Sequence, residues 1–445
     1  MKRLFIITLC IVFIITGCSA QNTSQPLESS SIVEKSPEEI VQDQAEAAEE
    51  TPQAPEQGIE QAPAQEEKKI ADAESSEVES SRKVDLTKVT SKRKTSYDHF
   101  NTICFAVVYD DFTEPSAPER FDRTWQEIQN MLADLEKSAS VNLYKSDIYN
   151  FNQAKYGESV AISNLTAEII AQAIEMYEFT DGAYNPAVAN LVDLWGFSPR
   201  FLNKENKTMP YDRPRNSDGS YGLPDQRYVD AFKILSDFSG IKLTKSGSSY
   251  KLAKNVKDIE IDGVMYSMKI DLGGIAKGYA ADKAAEILKK NGYEYGYVNI
   301  GLSSVRLLKR DVSPKGSPEE HMWAISISDP DNPSENYMTG FGKDTGVSTS
   351  GTYEVYYTID GRKYSHIIDP HTGEPTQSNI VSVSIWGCDA GYADAITTAL
   401  CVMGKEKAVK FMDTKLKDYK IAFISKDANG LEMHTNMDGT EYILE

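Results

Sequence analysis

Cysteine and histidine are scarce in this sequence, with five of each in 445 residues. Cys10 and Cys18 fall within the first twenty positions, leaving Cys104, Cys388 and Cys401 for the rest of the chain. Three thiols at such scattered spacing make neither a zinc signature nor a disulfide framework. They read as small buried apolar side chains, with a Cys388–Cys401 bridge left open. Positive charge is in deficit too: 47 Lys and Arg stand against 67 Asp and Glu, a formal net charge of −20. A nucleic-acid binder presents a basic face, so this balance argues against that class.

Long apolar runs are missing except at the start. "MKRLFIITLCIVFIITGCSA" has a short basic segment and then an apolar stretch below the roughly 20 residues needed to span a bilayer. That is the pattern of a secretory signal peptide. Its "ITGC" resembles the lipobox of bacterial lipoproteins. Cys18 is therefore the expected lipidation site, and the expected location is the cell membrane, lipid-anchored on the extracytoplasmic face. Residues 19–95, with "SPEEIVQDQAEAAEETPQAPEQ" as a sample, are rich in Glu, Gln, Ala and Pro and nearly free of aromatics. Such a composition buries too little apolar surface to offset chain entropy. It predicts a disordered acidic tether. Residues 96–445 then form the folded part.

In that part "NTICFAVVYD" reads as a buried strand. "RTWQEIQNMLADLEKSAS" puts Trp125, Ile128, Leu132 and Leu135 on one helical stripe. "TAEIIAQAIEMYEFTDG" reads as a helix capped by Thr166 and stopped at Gly182. A polar stretch at about 198–228 reads as a surface insertion. "SYKLAKNVKDIEIDGVMYSMKIDL" predicts two or three strands, and further strands follow between turn residues up to "GYADAITTALCVMG", a helix. The order is mixed, without strict βαβ alternation, and predicts an α+β fold of mixed or antiparallel sheets with packed helices.

Four stretches are too particular for scaffold alone. In "KIDLGGIAKGYAADKAAEILKK" two glycines stand where the pattern turns from an apolar strand end to a helix. Such a turn offers backbone N–H groups to an anion, or serves packing only; it lacks the GxGxxG spacing of a dinucleotide fingerprint. In "YADAITTAL" Asp394 and Thr398 are four apart and share a helix face, offering oxygen ligands to a hard cation; a helix cap with a back-bonded threonine is the plain alternative. In "YSHIIDPHTGEP" His366 suits proton transfer near neutral pH, while His371 sits at a solvated turn tip. In "TDGAYNPAVANLVDLWGF" Tyr184 and Trp195 are flat enough to stack on a ring system, and large aromatics are also ordinary core residues.

Taken together and in order, "DGAYNPAVANLVDLWGF", "DLGGIAKGYAADKAAEIL", "YVNIG", "VSTSGTYE", "YSHIIDPHTGEP" and "SVSIWGCDAGYADAITTALCVMG" resemble the ApbE-type FAD:protein FMN transferases, a fold related to the T-fold. The resemblance covers about 100–430 and implies one catalytic domain. It implies Mg²⁺-dependent transfer of FMN from FAD, through a phosphoester, to a Ser or Thr hydroxyl of a target flavoprotein, with release of AMP. Membrane redox subunits or extracytosolic reductases are the implied partners. Residue by residue, it implies FAD contacts at Phe100, Ala183, Tyr184, Asn185, Asp271, Lys277, His366 and Ile368. It implies metal ligation by Asp394 and Thr398 and by the carbonyls of Gly274 and Thr397. Beside Asp394, His366 or Asp369 would take the proton of the acceptor hydroxyl. Two departures stand out: Phe100 in "FNT" occupies the place of a usual methionine, and "NIGLSS" replaces the usual "NIGG". Tyr144 stands near the place of a tyrosine common after the first helix, without a clean alignment. "DTGVSTSGT" looks superficially like an acceptor sequence, and its position makes it enzyme structure. A Mg²⁺-dependent FAD pyrophosphatase and a non-catalytic FAD-binding lipoprotein are the alternatives.

Overall fold

The computed structural model describes residues 87–198, 222–309 and 322–445. Cys18, the signal segment, almost all of the tether and most of the insertion lie outside them. Eight strands make the central sheet: β1 (Thr90–Ser96), β2 (Cys104–Asp110), β3 (Tyr295–Ile300), β4 (Ser304–Leu307), β5 (Gly346–Gly351), β6 (Ile380–Cys388), β7 (Lys420–Asp427) and β8 (Gly430–Thr435). Their spatial order is their order in the chain, and every neighbouring pair is antiparallel. Eight α-helices occur among the described residues: α1 (Ala117–Ala139), α2 (Asp147–Gln153), α3 (Asn164–Phe179), α4 (Ala189–Leu194), α5 (Gln226–Leu235), α6 (Gly273–Lys290), α7 (Ala390–Met403) and α8 (Lys405–Lys415). The expected α+β class with antiparallel sheets and packed helices is what forms.

The alternation of side chains along each strand sorts the sheet into two faces. Cys104, Ala106 and Val108 of β2, Val298 and Ile300 of β3 and Val383 and Ile385 of β6 turn to the main core, with α1, α3, α6, α7 and α8. Phe105 and Val107, Tyr297, Val305 and Leu307, Val347 and Trp386 turn the other way. They meet Trp323, Ile325, Ile327 and Met338, which belong to a second sheet of strands Trp323–Ser328, Asn336–Gly342 and Tyr442–Leu444. A third apolar cluster joins α4 and α5 to the 355–368 hairpin region, with the rings of Trp195, Tyr364, Tyr357 and Phe197 stacked in series.

Three expectations are corrected, and the open question of a bridge is closed. The tether does not reach residue 95, because β1 pairs with β2 from Thr90 opposite Asp110 to Ser96 opposite Cys104. "TSKRKTS" shows no apolar alternation because it is an edge strand with exposed side chains, held by its ladder and by Arg93 lying 3.9 Å over the Phe105 ring. The cap of α3 is Ser163, which accepts the N–H of Thr166 at 3.1 Å; Thr166 itself is inside the first turn. No strand leads into α6: residues 267–272 join no ladder. That segment is held instead by Asn152, whose amide exchanges two bonds with the Ile270 backbone at 2.8 and 2.9 Å. Cys388 and Cys401 are both free thiols, so the open bridge is not made.

Candidate active site

α6 and α7 lie side by side and antiparallel, and the site is built on their shared face. Gly274, Gly278 and Asp282 recur every four residues on α6, so they line up. Thr398, Asp394 and Ala390 recur likewise on α7 in the opposite direction. At the first rung a Cβ on Gly274 would stand 3.6 Å from Thr398 Oγ1 and 3.3 Å from the Tyr184 ring. At the second, the Gly278 N–H donates to Asp394 Oδ2 at 3.2 Å. At the third, the Asp282 carboxylate accepts the N–H groups of Ala390 and Gly391 at 3.0 and 2.9 Å. Glycine at 278 is obligatory for this approach, since a Cβ there would fall 2.0 Å from the Ala390 carbonyl oxygen.

Asp394 is 3% exposed, on a helix whose other side chains are mostly apolar and buried. A buried carboxylate must be paired or hydrogen-bonded. Here Ser348 of β5 donates to Oδ1 at 3.0 Å, the Gly278 N–H serves Oδ2, and Lys277 Nζ stands 3.9 Å from Oδ2. Thr397 and Thr398 both donate their hydroxyl protons to the Asp394 carbonyl, at 2.9 and 3.1 Å. The back-bonded threonine foreseen as the plain alternative is thus real, and it leaves the hydroxyl lone pairs outward as acceptors. Ser350 Oγ, 2.8 Å from Thr397 Oγ1, extends the oxygen cluster.

Of the expected residues, Lys277 and Tyr184 stand directly at this pair of helices, and Asp271 closes the turn into α6. The Asp271 N–H is tied to the Pro186 carbonyl at 2.8 Å, and its Oδ1 accepts the Gly273 N–H at 2.8 Å, closing the turn into α6. Burial pushes the Asp271 carboxyl up; the Gly273 N–H opposes this, Asp193 adds to it and Lys277 opposes it. A cavity of about 250 Å³ opens beside Asp271, lined also by Asn142, Tyr149, Asn152, Asp193 and Lys269. Tyr184 is buried with no partner for its hydroxyl, and burial together with the charges of Asp394 and Asp271 holds that hydroxyl protonated. The Gly301 turn, with φ +70°, would bring a Cβ 3.0 Å from the Lys277 stem. Leu302, standing where the usual motif has glycine, takes φ 63°, so the turn keeps a left-handed shape despite the changed residue.

His366 is half-buried. Its Nδ1 lies 3.2 Å from the Val355 carbonyl, which can only accept, so the ring proton sits on Nδ1 and Nε2 is the free base. Burial lowers its pKa to about 4; the Val355 bond opposes this, and Lys277 contributes to it, which places that charge nearby. Asp369 is elsewhere engaged: its Oδ1 accepts the His371 N–H at 2.9 Å and its carbonyl the Gly373 N–H at 2.8 Å. That carboxylate shapes a turn, and His366 is the better placed proton acceptor. Asn185 also has both amide ends committed, to the Ser236 carbonyl and the Ala187 N–H, each at 2.8 Å. Ile368 belongs to the third apolar cluster, and Phe100 packs on the main core with its N–H on Glu136. Ala183 is buried beside Tyr184.

Three residues at the site escaped the reading by sequence. Ser348 and Ser350 fall in "VSTSGT", where alternation on a strand already put both on one face. Glu354 keeps solvent access, yet surrounding protein pushes its carboxyl up, Lys277 opposing and Asp394 adding to the rise. Lys277 and Asp394 are the charges that act on it. No sequence spacing links Glu354 to α7, since only folding brings them together.

Comparison with known proteins bears on the family of the chain. Residues 100–423 match the model of the ApbE family. Over 287 residues, 64% of this chain and 74% of the relative, the sequence is 32% identical to the FAD:protein FMN transferase of Vibrio cholerae serotype O1. It is 30% identical over 272 residues to the FAD:protein FMN transferase of Escherichia coli strain K12, spanning 60% of this chain and 68% of that one. Among solved structures, the flavin transferase ApbE from Vibrio cholerae aligns at TM-score 0.62 and 24% identity over 80% of this chain and all of that chain. The ApbE protein of Thermotoga maritima aligns at TM-score 0.60 and 25% identity, covering 78% and 97%. With well over half of its length matching the family model, and the Gly274–Asp394 face assembled within that match, this chain belongs to the ApbE family.

Proposed function

We propose that the protein is an FAD:protein FMN transferase that uses Mg²⁺, joins FMN through a phosphoester to a Ser or Thr hydroxyl of a target flavoprotein, and releases AMP. The observation that carries the reading is Asp394: a buried carboxylate held by the Gly278 N–H and the Ser348 hydroxyl, with Lys277 at 3.9 Å and the Gly274 turn opposite.

The oxygens collected there suit a hard cation. No group of three His, Cys, Asp or Glu able to hold a metal occurs among the described residues. A cation would therefore rely on one carboxylate and neutral oxygens, as Mg²⁺ does when substrate phosphates complete its shell. Asp394, the Thr397 and Thr398 oxygens and the Gly274 carbonyl would hold it. When bound, it supplies charge neutralisation on the pyrophosphate of FAD. Phosphoryl transfer otherwise asks mainly for positioning. Lys277 adds positive charge at the same place, and the unpartnered Tyr184 hydroxyl offers a buried hydrogen-bonding group to the substrate. The acceptor oxygen forms its bond to the FMN phosphorus as the bond to the AMP oxygen breaks. His366, neutral and with Nε2 unprotonated, takes the hydroxyl proton.

The acceptor is a flavoprotein reached from the membrane face, such as a membrane redox subunit or an extracytosolic reductase, with the enzyme tethered by lipid on Cys18. The test incubates the protein with FAD, Mg²⁺ and a candidate acceptor domain and weighs the acceptor. A mass increase of one FMN with AMP formed supports transfer. Free FMN with AMP and an unchanged acceptor would make it a pyrophosphatase, and intact FAD a binder.

A further inference from the structure

The third rung of the α6–α7 ladder has no part in the chemistry above, yet it is the most strongly tied. Asp282 reaches across from α6 and takes the first two N–H groups of α7, Ala390 and Gly391. The Asp389 side chain, at the usual capping position, makes no capping bond. It pairs instead with Arg306 of β4 at 2.9 Å, and the same guanidinium lies 3.7 Å from Asp282. One helix is thus capped by the other, and the sheet supplies the countercharge.

We propose that Asp282 is a positioning residue for the transfer site: by capping α7 from α6 it sets the register of the two helices, and with it the spacing of Gly274 and Lys277 from Asp394 and Thr398. The fork on two successive N–H groups is the firmest tie between the helices, which otherwise meet through the Gly278 N–H and Lys277 at Asp394. A slip of one helical turn would move the facing groups by about 5.4 Å. The inference rests on the proposed transfer reaction for its functional half and on geometry alone for its structural half.

Keeping this carboxylate ionised goes against its surroundings. Burial pushes the Asp282 carboxyl up to about 6; the Gly391 and Ala390 N–H groups and Arg306 oppose the rise, and Asp389 adds to it. Cys388 and Tyr279 are the other titratable groups that feel its charge. A residue kept for stability alone would be better neutral, whereas a register device needs two acceptor oxygens, which asparagine lacks.

The experiment uses Asp282→Asn in the full chain, with two readouts. The first is hydrogen exchange of the Gly278 amide, to whose protection the cross-helix bond to Asp394 adds beyond its place in α6. The second is the Mg²⁺ concentration at half-maximal FAD retention, followed by flavin fluorescence. Expected are lost protection at Gly278 and a roughly tenfold higher Mg²⁺ midpoint, at a melting temperature equal to or above wild type at pH 8. Arg306→Lys, a milder change, moves both readouts the same way by about threefold. Unchanged Gly278 protection in both variants overturns the proposal, as does a lowered melting temperature with an unmoved midpoint. Failure of the transfer reading shows differently: wild type itself would retain FAD without regard to Mg²⁺, while the exchange readout still decides the register.

Discussion

The two faces of the eight-stranded sheet are made by the same strands and do different work. On β5, Ser348 and Ser350 turn toward α7 and its carboxylate, while Val347, just before them, turns to the aromatic cluster with Trp323 and Trp386. Where β5, α6 and α7 meet, the helix face is lined by hydroxyl residues and by glycines that let the helices touch. The other face is filled by large rings. Small residues bring backbone and polar atoms within ligand distance, and rings fill volume at native packing density. Strand alternation lets one segment serve both, and the cost of error differs between faces.

The largest contrast should come from Asp394→Asn against Trp386→Ala. The first removes the charge at the centre of the site and should cut FMN transfer by about 10³-fold or more with folding retained. The second empties a 1%-exposed ring from the opposite face and should cost about 3–5 kcal/mol in denaturant unfolding, with activity per folded molecule unchanged. Comparable loss of transfer in both would erase the distinction between the faces.

Gly278→Ala and Gly340→Ala probe close approach on each side. The first would place a Cβ 2.0 Å from a backbone carbonyl and the second 2.6 Å from the Trp386 ring. Each should destabilise by about 1–3 kcal/mol, since an overpacked contact must give way. Only Gly278→Ala should also lower transfer, by roughly 100-fold, as α6 and α7 separate. Adjacent residues of β5 give a finer pair. Ser348→Ala deprives Asp394 of a donor and should slow transfer about tenfold. Thr349→Val breaks the 2.8 Å bond to Ser384 and should change stability by about 1 kcal/mol, leaving the rate alone.

The smallest effect is one of position on the pH axis. The folded pKa of His366 is depressed to about 4, so native protein binds its proton less readily than the unfolded chain. Its contribution to stability is therefore present above the unfolded pKa, near 6.5, and is lost as pH falls from there toward 4. The activity limb that requires neutral His366 should likewise fall near pH 4 in a pH–rate profile. A limb centred at 6.5 would mean the imidazole is not the buried base.

Legibility in the sequence followed the range of the interactions. Asp394 and Thr398 announced a shared helix face because four residues make about one turn, and "NTICFAVVYD" announced a strand because its apolar residues run together. β1 was not legible: an edge strand with exposed lysines has no pattern to show. Nor was the end of the segment before α6, whose hydrogen bonds go to Asn152, over a hundred residues away in the chain. Asp369 and His366 looked alike as proton acceptors, and only the His371 bond separated them.

What the sequence by itself determined is the set of parts: a helix with glycines at its start, a buried helix carrying one carboxylate, and a histidine segment, each set by local periodicity and turn chemistry. Only the tertiary structure decided that α6 runs antiparallel to α7, so that Gly278 meets Asp394 and Asp282 caps Ala390 and Gly391. It also decided that Ser348 and Lys277 meet at Asp394. Those are contacts between segments far apart in the chain, and no local pattern encodes a distance across a packed interface.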